Sequence, residues 1–129
     1  MTQDTRPFIL LVDACDPTRE SLIVAFEAKG YICLGAVDGE SAMDLVREGP
    51  CPIVALVDYH LPKASGAETT RCLKTLCPTM PLIGTSTEHS HCEEMIEAGA
   101  ADFFAKPFDL TSLFETVSLE AGFTPPKPA

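Results

Sequence analysis

Short apolar runs alternate along the chain with longer segments whose apolar residues recur at helical spacing. The runs predict strands at residues 8–13, 31–36, 53–57, 81–86 and 102–105. The runs at 8–12 and 53–57 are apolar at every position, which is typical of strands buried on both faces of a parallel sheet. Such strands need helices on both sides of the sheet.

The segments between the runs predict helices bounded by capping and stop residues. The first helix has Asp16 as a candidate N-cap and Pro17 at its first position, and Gly30 ends it. The others are predicted at residues 38–49, 66–77, 88–98 and 109–122. Strand–helix units in regular alternation predict an α/β fold, with a doubly wound parallel sheet, right-handed crossovers and helices on both faces.

Length and composition limit the domain organisation and the location. With 129 residues, 46% of them apolar, the chain predicts one domain at 7–120, a disordered amino terminus at 1–6 and a Pro-rich tail or linker at 121–129. No apolar run approaches the roughly 18 residues of a membrane span, and the amino terminus lacks the organisation of a signal peptide. We therefore expect a cytoplasmic protein that does not contact a membrane.

The charge favours a cation or a basic partner surface over nucleic acid. The formal net charge is −10, and the nine Lys and Arg residues are scattered. Binding to phosphate backbones needs clustered basic side chains, so we expect no direct contact with nucleic acid.

Six cysteines show neither a Cys-x-x-Cys pair nor the paired spacing of a zinc site. Several of them lie in apolar stretches. We expect them mainly as small buried hydrophobic residues, with a redox role as the alternative.

Several predicted strands deliver a reactive side chain to one edge of the sheet, because the carboxyl ends of parallel strands lie together. These side chains are Asp13, Asp58, Thr85 or Ser86, and Lys106. Two carboxylates can hold Mg²⁺, and one can act as a nucleophile toward a phosphoryl group and form an aspartyl phosphate. The ammonium and the hydroxyl would neutralise the oxygens of the transferring group.

With these residues in place, the sequence resembles the receiver domains of bacterial two-component response regulators. The resemblance covers Phe8 to about Leu119. It rests on the strand ending in Val12-Asp13, on Asp58-x-x-x-Pro62-x-x-x-Gly66, on the run at 81–83 followed by hydroxyls, and on Gly99-Ala100-x-Asp102-Phe103-x-x-Lys106-Pro107-Phe108. It implies a five-stranded, flavodoxin-like sheet in the order 2-1-3-4-5.

The resemblance also implies a role for each site residue. Asp58 would accept a phosphoryl group from a histidine kinase or a phosphotransfer protein in a phosphorelay. Lys106 would pair with the phosphoryl oxygens and form a cis peptide bond with Pro107. Mg²⁺ would be bound by Asp13, by Asp58 and by the backbone carbonyl of His60, whose imidazole lies at a position that modulates dephosphorylation.

The metal site departs from the family pattern at one position. Receivers usually carry two adjacent acids after the first strand, and here the pair is Asp13-Ala14. Ala14 stands where the family has its direct metal ligand, so we expect weakened Mg²⁺ binding. Asp16 could replace the lost carboxylate if the loop folds inward, or it could be the N-cap of the helix.

Two switch residues are implied, and one of them is ambiguous. Counting forward from Pro81 favours Ser86 as the phosphoryl-binding hydroxyl, whereas the short stretch to Lys106 keeps Thr85 as the alternative. Phe103 occupies the position of an aromatic residue whose rotamer follows activation in the family, or it is a core aromatic of an edge strand. The fourth helix, fifth strand and fifth helix would form the switch surface, which could also carry a homodimer.

Three functions fit the sequence to different degrees. We expect a receiver that is switched by phosphorylation of Asp58 and has no enzymatic activity beyond its own phosphorylation and dephosphorylation. Ala14 motivates the alternative of a pseudo-receiver that docks partners without phosphorylation. A small phosphatase is disfavoured because Tyr59-His60 lacks the acid that such enzymes place two residues after the nucleophile.

Overall fold

The structure, a computed structural model, describes residues 7–126 and has the predicted alternation of strands and helices. The strands are β1 (Phe8–Val12), β2 (Ile32–Ala36), β3 (Val54–Asp58), β4 (Leu82–Ser86) and β5 (Asp102–Ala105). The helices are α1 (Asp16–Ala28), α2 (Gly39–Glu48), α3 (Gly66–Leu76), α4 (Cys92–Ala98) and α5 (Leu110–Ala121), and a 3-10 turn (His89–His91) precedes α4. The predicted disordered amino terminus and residues 127–129 lie outside this range. Within it, no helix has both the length and the apolar character needed to cross a membrane.

The strands form one parallel sheet in the predicted order β2-β1-β3-β4-β5. Its register places Val12 beside Val57, and Asp58 beside Thr85. Because every pairing is parallel, the segments that follow the strands leave from the same edge of the sheet. The candidate residues therefore collect there.

The core consists of two layers, one on each face of the sheet. Leu10 and Val12 of β1 face the layer covered by α2, α3 and α4, whereas Ile9 and Leu11 face the layer covered by α1 and α5. Every residue of β3 and β4 is buried. Burial on both faces explains why β1 and the first four residues of β3 are apolar without interruption.

The start of α1 differs from the prediction by one residue. Cys15 is the N-cap and makes no side-chain cap, and Asp16 is already the first helical residue. The prediction of Asp16 as N-cap is therefore wrong. Its carboxylate instead accepts a hydrogen bond from Nη2 of Arg19 at 2.5 Å, a pairing that becomes available one turn into the helix.

The described part of the tail packs against the turn between α1 and β2. The hydroxyl of Tyr31 donates to the carbonyl oxygen of Phe123 at 3.2 Å, and the two rings lie edge to face with centroids 6.3 Å apart. Phe123 thus contributes to the core layer under α1 and α5.

Cys51 and Cys77 form a disulfide that the sequence analysis missed. The bridge joins the segment before β3 to the end of α3 across 26 residues, with Cα atoms 6.0 Å apart. Cys33 and Cys77 are buried as expected, but Cys15, Cys51 and Cys72 are exposed, so the expectation of buried cysteines is wrong for those three. Local spacing rules cannot find a pair that is brought together only by the tertiary fold.

Reduction of the Cys51–Cys77 bridge is expected to lower the free energy of unfolding by about 3 kcal/mol, because the unfolded chain regains the entropy of a loop of this length. Urea unfolding with and without reductant measures the difference. The Cys51→Ser, Cys77→Ser double variant is the control, since reductant should leave its midpoint unchanged. An unchanged midpoint for the native chain would contradict the prediction.

The turn after β3 brings the backbone of Gly66 against the end of that strand. The N–H of Gly66 donates to the carbonyl oxygen of Tyr59 at 2.8 Å. A Cβ at Gly66 would lie 2.2 Å from the carbonyl oxygen of Asp58 and 2.6 Å from the Cα of Tyr59. These are backbone atoms, so a side chain at this position would displace the residue that carries the candidate nucleophile.

The Gly66→Ala variant is expected to lose roughly 3 kcal/mol of stability, because the added methyl group overpacks the strand end. The Gly49→Ala variant is the matched control, since its Cβ would have no closer neighbour than the carbonyl oxygen of Leu45 at 3.7 Å. The free energy of unfolding of Gly49→Ala should stay within about 0.5 kcal/mol of the native value. Chemical denaturation compares the two, and equal losses would show that the contact at Gly66 relaxes freely.

Candidate functional site

Three charged side chains meet at the carboxyl edge of the sheet. Nζ of Lys106 lies 2.8 Å from Oδ2 of Asp13 and 3.0 Å from Oδ1 of Asp58. Both acids are buried, with 5% of Asp13 and 6% of Asp58 exposed. The peptide bond between Lys106 and Pro107 is cis, as the resemblance implies. Two carboxylates around one ammonium leave one excess negative charge, which favours a further cation.

The environment of Lys106 keeps its ammonium protonated. Burial lowers the pKa of Lys106, but its hydrogen bonds to Asp13 and Asp58 and the charges of both carboxylates outweigh burial, so the pKa lies above its ordinary value. The contribution of these ion pairs to stability is therefore fully present below the ordinary pKa of 10.5. It is lost as the pH rises through the higher pKa of the folded state.

Arg19 fixes the loop that carries Asp13. Its Nη1 donates to the carbonyl oxygen of Asp13 at 2.7 Å while its Nη2 pairs with Asp16. The N–H of Cys15 donates to Oδ1 of Asp13 at 2.9 Å. Asp16 points away, with 67% of its side chain exposed. Among the described residues, its carboxylate does not form a three-donor cluster with those of Asp13 and Asp58. The sequence analysis did not predict this role of Arg19.

The two buried acids fit a hard divalent cation, although with a reduced set of donors. Mg²⁺ commonly takes only one or two protein carboxylates and fills its other positions with water or phosphate oxygens. Asp13 and Asp58 supply that number. Ala14 lies at an exposed bend directly after β1 and has no donor to add. The donor set therefore fits Mg²⁺ as the ion.

The two candidate hydroxyls have separate partners. Thr85 Oγ1 donates to Oδ1 of Asp58 at 3.2 Å. Ser86 Oγ lies 2.9 Å from Nδ1 of His91 and accepts the N–H of Glu88 at 3.0 Å. The structure thus brings Thr85 to the candidate phosphoacceptor and directs Ser86 toward the loop after β4.

His60 has one contact inside the site and one outside. Its backbone N–H donates to Oδ2 of Asp58 at 3.2 Å. Its imidazole is half exposed, and Nε2 lies 3.9 Å from Oε2 of Glu88. The ring therefore faces the loop after β4, and the carboxylate of Asp58 is oriented by the backbone.

Tyr59, the first residue after β3, contacts the loop that follows β4 and the helix α4. Its ring stacks on His91 with centroids 3.6 Å apart, and its hydroxyl donates to Oε1 of Glu94 at 2.9 Å. This hydrogen bond is the main reason that the pKa of Tyr59 is raised. The sequence analysis missed Tyr59, Glu88 and His91. Their position directly after neighbouring strands was the signal that could have found them.

Phe103 is half-buried on β5 and packs against the core layer under α2, α3 and α4. Its ring centroid lies 6.3 Å from that of His89. The side chain thus borders both the core and the surface, as either of its predicted roles requires.

Comparison with known proteins gives the family. The family model described as the response regulator receiver domain matches residues 9–118. The phosphate regulon transcriptional regulatory protein PhoB of Pseudomonas aeruginosa is 36% identical over 104 residues, which are 78% of this chain and 45% of PhoB. Protein CcdB of Bacillus subtilis is 32% identical over 117 residues, which are 88% of this chain and 97% of CcdB. The chain spans about half the length of PhoB and of several other curated relatives that it matches.

Solved structures share the fold. A CheY-like receiver domain protein from Methanospirillum hungatei has a TM-score of 0.84 and 23% identity, covering 92% of this chain and 95% of its own. The response regulator TrrA from Thermotoga maritima, in complex with Mg²⁺-BeF, has a TM-score of 0.82 and 23% identity. The match covers 89% of this chain and 99% of the TrrA chain. The family match over residues 9–118 and the shared fold give one conclusion: the chain belongs to the response regulator receiver domain family.

Proposed function

We propose that this receiver domain is switched by transfer of a phosphoryl group to the carboxylate of Asp58 from a histidine kinase or a phosphotransfer protein. The contact of Asp58 with Lys106 and Thr85 at the buried sheet edge carries this proposal. A carboxylate held by a fixed ammonium and a hydroxyl is positioned to receive a group whose negative charge those partners neutralise.

The transfer exchanges one bond to phosphorus for another. An oxygen of Asp58 attacks the phosphorus of a phosphohistidine, and the P–N bond breaks. The imidazole nitrogen keeps the electron pair of that bond and takes up a proton, which leaves an acyl phosphate on Asp58. Lys106, which holds both Asp13 and Asp58 at 2.8 and 3.0 Å, can move one hydrogen bond to a phosphoryl oxygen while Asp13 keeps it in place.

Asp13, Asp58 and the backbone carbonyl of His60 would hold Mg²⁺ in this site. When bound, the ion supplies positive charge next to the transferring oxygens. The chain then catalyses only its own phosphorylation and dephosphorylation. It has no separate substrate and is not otherwise an enzyme.

The output of the switch would be the surface formed by α4, β5 and α5. Ser86 and Phe103 connect this surface to the site, because Ser86 ends β4 and Phe103 lies on the adjacent β5. The apolar side chains of Ile96 and Leu110 are each 42% exposed on the flanking helices. Exposed apolar groups of this kind suit a partner or a second copy of the chain, whose affinity phosphorylation would change by shifting a pre-existing equilibrium.

We assign the protein to the cytoplasm, where the histidine kinase presents its phosphoryl group, without direct contact to nucleic acid. Cytosolic reductants would compete there with the bridge between Cys51 and Cys77. Relatives such as PhoB are about twice as long as the matched region, and the activity of their other half is not assigned to this chain.

Incubation with acetyl phosphate and Mg²⁺ is expected to add the mass of one phosphoryl group to the native chain, measured on the intact protein. The Asp58→Asn variant should gain nothing, because the amide is not a nucleophile of this kind. The Asp44→Asn variant changes an exposed acid of α2 and should be labelled like the native chain. No mass gain at any Mg²⁺ concentration would favour the pseudo-receiver instead.

The Ala14→Asp variant is expected to raise the apparent Mg²⁺ affinity by about tenfold, equivalent to about 1.4 kcal/mol, because it adds a carboxylate beside a small acidic site. The exposed bend at Ala14 has room for the larger side chain. Titration calorimetry or amide shifts of Asp13 follow binding. The Ala14→Asn variant controls for size and polarity without charge, and equal affinities for the two variants would show that position 14 does not reach the ion.

A further inference from the structure

A second cluster of metal-ligating side chains lies beside Asp58. Nε2 of His91 is 3.0 Å from Oε2 of Glu88, and Nε2 of His60 is 3.9 Å from the same oxygen. The three donor atoms all lie within 4.8 Å of one another. Over residues 7–126, no other group of three His, Cys, Asp or Glu side chains brings its donor atoms this close.

We propose that His60, Glu88 and His91 form a binding site for a divalent transition-metal ion of the Zn²⁺ type. Two imidazoles and one carboxylate are the donors of three-ligand zinc sites, which keep a fourth position for water. Mg²⁺ prefers oxygen ligands and avoids imidazole. The donor types therefore separate this site from the carboxylate pair of Asp13 and Asp58.

The spacing of the donors fits tetrahedral coordination. Ligands about 2.0–2.1 Å from Zn²⁺ lie about 3.4 Å from one another in a tetrahedron. The observed distances of 3.0 and 3.9 Å from Glu88 to the two histidines bracket that value. The side chains of His60 and Glu88 are 51% and 56% exposed, so an ion can enter and small rotations can complete the geometry.

His91 is held in place as metal-binding histidines usually are. Only 17% of its side chain is exposed, its ring stacks on Tyr59, and its Nδ1 lies 2.9 Å from Oγ of the fully buried Ser86. When Nε2 binds a metal, Nδ1 carries the proton and its N–H donates a hydrogen bond to Oγ of Ser86. Such an outer hydrogen bond fixes both the tautomer and the ring plane of the ligand.

The fold explains why these residues meet. His60 follows β3, whereas Glu88 and His91 follow β4, and the two strands are neighbours in the parallel sheet. The backbone N–H of Glu88 donates to Ser86, which anchors the loop from which both ligands project. The site therefore rests on two rigid strand ends.

Calorimetric titration of the full chain with Zn²⁺ is expected to show one ion bound per chain. The variants His60→Gln, Glu88→Gln and His91→Gln should each lose this transition, and Ser86→Ala should weaken it about tenfold. His89→Gln is the matched control from the same turn. Its ring lies next to Phe103 and is not a ligand, so its affinity should be native. Circular dichroism verifies that each variant is folded, and native affinity in folded His91→Gln would overturn the proposal.

Two further variants exclude other binding sites. Asp58→Asn should bind Zn²⁺ like the native chain, whether or not the chain can be phosphorylated. Loss of binding there would assign the ion to the carboxylate pair and overturn the proposal. A variant with Ser in place of Cys15, Cys72 and Cys92, the free thiols that are not buried, should also keep its affinity. Loss of binding in that variant would assign the ion to thiolates and equally overturn it.

Discussion

The ammonium of Lys106, shared between the carboxylates of Asp13 and Asp58, is the interaction on which the site depends. Without it, two buried acids would face each other unpaired, and an uncompensated buried charge costs several kcal/mol. Asp13 and Lys106 directly follow β1 and β5, and Asp58 is the last residue of β3, so the same contact joins the ends of three strands. The long, flexible stem of Lys106 spans the width of β4, which lies between β3 and β5. The order of the strands thus sets the distances among the three charged groups, and their contacts in turn hold the strand ends together.

The features that follow from backbone periodicity could be predicted from the sequence. Unbroken apolar runs identify strands buried on both faces, and their order in alternation with helices gives the parallel sheet. Once the strands are placed, Asp13, Asp58 and Lys106 are expected at one edge of the sheet, because each lies at or directly after the carboxyl end of a strand. Gly66 was identified from the sequence only as a member of the motif that begins at Asp58, whereas the close approach of the α3 start to the carbonyl oxygen of Asp58 was found only in the structure.

The features that depend on tertiary contacts between side chains could not be predicted. The Cys51–Cys77 bridge and the stack of Tyr59 on His91 connect segments that are remote in sequence. The N-cap of α1 is Cys15 and not the predicted Asp16, whose carboxylate pairs with Arg19 instead of capping the helix. Local propensity predicts which residue types favour a helix start, whereas competition among nearby partners decides which hydrogen bonds their side chains make.

The direction of the hydrogen bond between Ser86 and His91 depends on the position of one proton. A hydroxyl has one donor and two lone pairs, and Ser86 already accepts from the N–H of Glu88. If Nδ1 of His91 is unprotonated, Ser86 must donate its proton to that nitrogen. If a metal on Nε2 fixes the proton on Nδ1, Ser86 accepts from His91 instead, and its own proton is free. The tautomer of His91 therefore decides whether Ser86 donates to the imidazole or accepts from it, whereas Thr85 is the hydroxyl that contacts Asp58.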